Sequence, residues 1–120
     1  MAALKVIAGL ILMASTASAG AVECRSAAGI LNGLRVAAVR QANLRGTTMT
    51  LTGKLAGKSM PQRSLPCVAL AKGVFCGKSF GPVNVSVMTN GTRMIEIVTD
   101  SATKNELASF AYVCRAVFRL

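Results

Sequence analysis

Only four side chains can supply a carboxylate for acid–base chemistry, Glu23, Glu96, Asp100 and Glu106, and there is no histidine in 120 residues. That removes the commonest general base, the usual partner of a nucleophilic serine or cysteine, and the commonest metal ligand. A glycan-cleaving pair needs carboxyl groups about 5 to 9.5 Å apart. Glu96 and Asp100 share one face of an extended strand, but four residues at about 3.3 Å each put their backbones about 13 Å apart. Ser101-Ala102-Thr103-Lys104 matches the S-x-x-K of serine acyl-enzymes, in which the lysine accepts the serine proton. Its companion motifs are missing, so the segment reads as a turn or helix cap. Gly53-Lys54-Leu55-Ala56-Gly57-Lys58-Ser59 looks like a phosphate-binding loop with one residue too few between its glycines, and reads as a mobile basic loop. The sequons Asn84-Val85-Ser86 and Asn90-Gly91-Thr92 read as strand and turn residues. The expectation is a protein that is not an enzyme, with no catalytic residue; a small hydrolase using its acidic residues ranks third among the functions considered.

The cysteines, Cys24, Cys67, Cys76 and Cys114, contain no C-x-x-C pair, which speaks against a zinc site or a redox centre. Neither metal nor cofactor is expected. An even number in a small exported domain reads as two disulfides, for which three connectivities exist. The nested one, Cys67–Cys76 inside Cys24–Cys114, is preferred because CVALAKGVFC reads as a hairpin turning near Lys72-Gly73. A four-residue loop would set its two cysteines opposite each other. The outer bond would join the first and last strands and contribute on the order of 4 to 5 kcal/mol in the entropic model.

Charge and compartment belong together. Residues 1–19 read as a cleaved signal peptide: Lys5, then the apolar run Val6 to Ala14, then Ala17-Ser18-Ala19 as the cleavage signal. That run is shorter than the roughly 20 residues that span a bilayer. No later uncharged stretch reaches that length, so a mature domain of residues 20–120 is expected to be exported without spanning the membrane, to the bacterial periplasm or the exterior. The chain carries 14 Lys plus Arg against 4 Asp plus Glu, a net charge of +10. The mature cations are spread along the chain, so the folded surface should attract anionic partners. Nucleic acid is disfavoured, because 4 Phe, 1 Tyr and no Trp offer few stacking platforms. The expected role is a cationic binding or inhibitor module for an anionic envelope component: lipid, glycan or acidic protein. Lys54, Lys58 and Arg63 on the Gly53 to Pro66 loop are the candidate binding residues. The alternative is a membrane-active basic protein acting on anionic lipid.

These side chains must be positioned by strands. Pro82 to Asp100 carries two alternating runs around Asn90-Gly91, a strong hairpin signal. Keeping apolar residues on one face calls for a three-residue loop that pairs Val85 with Ile95, Val83 with Ile97, Ser86 with Met94 and Asn84 with Glu96, with Gly91 in a left-handed bulge position. Thr47 to Thr52 alternates as a strand, and Phe110 to Phe118 as a final strand with an aromatic face. Arg25 to Arg45 has a helical composition but holds Asn32-Gly33 at its centre, and strands are preferred there. About six to eight short strands suggest a mostly β fold, a small antiparallel barrel or sandwich. There is room for one short helix near residues 101–108, capped by Asp100.

Overall fold

The computed structural model describes residues 21–117; the expected signal peptide, Phe118 and Arg119 lie outside the described residues. The strands are β1 (Ala21–Leu31), β2 (Leu34–Arg45), β3 (Thr48–Leu55), β4 (Lys58–Ser59), β5 (Arg63–Leu70), β6 (Gly73–Phe80), β7 (Val83–Thr89), β8 (Arg93–Asp100) and β9 (Glu106–Val117). All pairings are antiparallel, each long strand beside its sequence neighbour, and β9 returns to β1. The result is a closed eight-stranded up-and-down barrel with the two-residue β4 folded back on β3. Closure removes the exposed sheet edges that an open sandwich would have to protect.

Alternation explains the interior. Met49 and Leu51 on β3, Leu65 on β5, Val85 and Val87 on β7, and Phe110 and Tyr112 on β9 are all buried and fill the barrel. Gly29, opposite Phe110 across the β1–β9 pairing, is small for a reason: a Cβ there would lie 2.5 Å from the Phe110 ring. The aromatic ring occupies the space that the missing side chain leaves. A bulge between Ser26 and Ala28 shifts the register of β1 against β2, and the Arg25 to Arg45 segment is a strand hairpin turning at Asn32-Gly33. Both turn residues have positive φ (51° and 83°), as a two-residue hairpin turn requires.

Both disulfides form as the nested pairing expects. Cys67 faces Cys76 across β5 and β6, Cys24 faces Cys114 across β1 and β9, and each pair has its Cα atoms 4.0 Å apart. The β5–β6 turn is tighter than the expected four-residue loop, with Leu70 pairing Gly73. The outer disulfide stitches the seam at which the barrel closes.

Three expectations are corrected. In the β7–β8 hairpin, Val85 pairs with Val98, Val87 with Glu96 and Thr89 with Met94, so the parity is the opposite of the one expected. That expectation placed Glu96 on a polar outer face, whereas Glu96 is 0% exposed and Ile95 and Met88 are each 46% exposed. An internal cation repays the burial of Glu96, which inverts the apparent pattern. The Asn90 side chain shapes the turn by accepting from the Thr92 and Arg93 amides at 2.9 Å, and Gly91 does take a positive φ of 95°. The second correction concerns Gly53 to Pro66, which is mostly strand: β3 runs to Leu55, β4 follows a two-residue turn, and β5 already begins at Arg63. The third is the short helix near 101–108, which is absent. Asp100 caps a tight turn instead, its Oδ1 accepting from the Ala102 and Thr103 amides at 2.9 Å, and β9 starts at Glu106. Among the described residues no helix is long and apolar enough to cross a membrane.

Candidate functional site

Inside the barrel, Arg40 on β2 donates from Nη2 to both oxygens of Glu96 on β8, at 2.8 and 3.1 Å. The Tyr112 hydroxyl donates to Glu96 Oε1 at 2.5 Å. The Arg40 guanidinium lies 5.0 Å from the Phe110 ring centroid, and its Nη1 contacts the Met60 sulfur at 3.4 Å, while the buried Nε has no hydrogen-bond partner among the described residues. Arg40 is 3% exposed. Burial first, and the Glu96 charge second, push the Tyr112 hydroxyl well above the ordinary tyrosine range. This network engages both Glu96 oxygens and ties β2, β8 and β9 together through the core. Asp100, the other carboxylate weighed for hydrolysis, sits in the β8–β9 turn, where the Thr103 and Ala102 amides hold its pKa below the usual carboxylate value. Sequence reading missed Arg40. The available signal was its place in the alternating run Ala38, Arg40, Ala42, Leu44, in which every other member is a core residue.

The three expected binding residues are separated. Lys54 stands exposed on the outer face of β3, pairing with Val39 of β2 and Ser59 of β4. Lys58 pairs with Leu55 at the end of the barrel that carries the β3–β4 turn. Arg63 opens β5 opposite Leu51, with its guanidinium 4.9 Å from the Phe80 ring. The structure brings Arg63 together with Lys78, a residue not singled out from sequence, whose Nζ lies 5.5 Å from the same ring.

A larger polar surface lies on the outside of β1, β2 and β3. The pairings line up Arg115, Glu23, Asn43, Thr50 and Ser64 in one lateral row. The next row holds Arg93, Val113, Arg25, Gln41 and Thr52, and Arg45 pairs with Thr48 beneath them. Two adjoining concavities share Gln41: one of about 390 Å³ between Arg25, Val39 and Thr52, the other of about 530 Å³ between Glu23, Asn43, Arg45 and Thr48. Gly53 lets β3 crowd against β2 at the first, since a Cβ there would lie 2.1 Å from the Val39 carbonyl oxygen. The surface therefore offers guanidinium, amide and hydroxyl donors at strand spacing inside a shallow groove. Amides and hydroxyls at this spacing suit a ligand rich in oxygen, and the arginines suit a negative one.

The charge is largely unneutralised. Of twelve described cations, Arg40 is paired with Glu96 and Arg115 with Glu23 (2.8 and 3.0 Å), and ten have no carboxylate of the described residues within 4.0 Å. Two disulfides are compatible with an exported protein. No protein-family model, no curated protein and no solved structure matches the chain.

Proposed function

We infer that the protein is a non-enzymatic, exported binding module that holds an acidic glycan of the cell envelope, in the periplasm or outside the cell. The observation that carries this reading is the groove on β1 to β3, where Arg25 and Arg45 flank Gln41, Asn43 and the Thr48 to Thr52 hydroxyls. Carboxylate or sulfate groups of the glycan engage the two arginines, and its hydroxyls exchange hydrogen bonds with the amides and threonines. Lys54 lies on the same outer face of β3 beyond Thr52, opposite Val39 at the edge of the groove. Arg63 and Lys58 stand apart from this groove and add to the attractive field rather than to the contact surface.

The test is retention of the oxidised protein on an immobilised uronic-acid or sulfated polysaccharide, against a neutral polysaccharide of the same kind. The expected result is selective retention, and a loss of affinity of at least about tenfold in the Arg25→Ser, Arg45→Ser double variant. Equal retention of the variant and the parent would refute the assignment of this groove. The alternative, action on anionic lipid, is favoured by a different surface of the barrel.

A further inference from the structure

The outer face of β5 to β8, around the barrel from the arginine groove, is apolar where a solvated sheet would be polar. The pairings place Val68, Phe75, Met88, Ile95 and Ala111 side by side in one lateral row across five consecutive strands. Four inter-strand steps of about 4.8 Å make that row about 19 Å long. Its members are well exposed, Val68 at 58% and Phe75 at 37%, with Leu70 at 49% next to them at the β5–β6 turn. The row toward the opposite end of the barrel, Gly77, Ser86, Ile97 and Ser109, carries no charge. An apolar stripe this continuous is uncommon on the free surface of a small protein and marks a contact surface.

Charge decides what covers it. Lys72 in the β5–β6 turn and Arg93 at the start of β8 fringe the stripe. None of the four carboxylates lies on it: Glu96 is inside, Glu23 is tied to Arg115 on β1, and Asp100 and Glu106 stand at the opposite end of the barrel. A second copy would bring two strongly cationic chains together across a surface with no acid to offset them. A bilayer rich in anionic lipid supplies both things the surface lacks, an apolar layer for Val68, Phe75, Met88 and Ile95 and phosphates for Lys72 and Arg93. We propose that the β5–β8 face is a peripheral docking surface for an anionic lipid bilayer, on which the barrel lies without crossing it.

This deepens the anionic-envelope reading but shares with it only the sign of the charge, so either can fail alone. The experiment is co-sedimentation of the full, oxidised protein with vesicles of phosphatidylcholine containing phosphatidylglycerol, and with vesicles of phosphatidylcholine alone. Binding is expected to the first and not the second. Val68→Ser, Phe75→Ser and Ile95→Ser combined should lower the partition coefficient at least about tenfold, while Arg25→Ser with Arg45→Ser keeps vesicle binding. All three replaced side chains face solvent, and circular dichroism with the intact-disulfide mass confirms that the variant folds. Vesicle binding undiminished in the apolar-row variant would overturn the proposal. So would a concentration-dependent dimer in analytical ultracentrifugation that the same variant abolishes, which would assign the surface to a second copy.

Discussion

Glu96 is held from two sides, by the Arg40 guanidinium and by the Tyr112 hydroxyl, in a space closed to water. Removing one member of such a pair strands the other charge in the core. Arg40→Met should therefore cost about 3 to 5 kcal/mol, and adding Glu96→Leu to it should restore much of that loss. Urea midpoints of the two variants and the parent check the order. Tyr112 can be followed by itself, since the chain has one tyrosine and no tryptophan. Its folded pKa is raised, so the neutral hydroxyl is the form the fold favours. The stability this gives is complete below about pH 10, where an unfolded tyrosine ionises, and is lost as the pH rises beyond it. Phenolate absorbance should thus appear only together with unfolding. The fall in urea midpoint between about pH 9 and pH 11 should be smaller in Tyr112→Phe. A phenolate signal in the folded protein at the ordinary tyrosine pKa would contradict the burial described above.

At the scale of elements, the strand pattern and the cysteine spacing were legible because each rests on a local rule. Cys67 and Cys76 flank a short hairpin, and Asn32-Gly33 supplies the two positive φ values that a tight turn demands. The β7–β8 register was not legible, because its parity hangs on Glu96 being inside, and that depends on Arg40, 56 residues away in sequence. The arginine groove was hidden for the same reason: Arg25, Gln41 and Thr52 become neighbours only through lateral pairing of three strands. Lys54, Lys58 and Arg63 looked like one cluster because they are close in sequence, and strand alternation then parted them. The two disulfides also act at this scale. Replacing Cys24 and Cys114 by serine closes no loop in a span of 90 residues and should cost about 4 to 5 kcal/mol, against about 2 to 3 for Cys67 and Cys76, which span 9. Thermal unfolding of the two double variants measures the difference; a larger loss for the hairpin pair would contradict the entropic account.

The whole molecule is a barrel with two unlike sides. Around β1 to β3 it presents arginines, amides and hydroxyls in a groove, and around β5 to β8 an apolar stripe edged by Lys72 and Arg93. Docked on lipid by the second side, the barrel would turn the first toward whatever polymer stands above the bilayer, so lipid docking and glycan binding are compatible in one orientation. The seam between β1 and β9 has a further consequence, in time rather than in space. Because the first strand, already paired with β2, finds its second partner only in the last, a chain still being released holds an unclosed sheet until Glu106–Val117 is free. Until that moment β1 and β8 each show a bare row of amides and carbonyls, the kind of edge that recruits strands from other chains. The interval before closure, more than the finished barrel, is when this protein depends on being kept apart from its own copies.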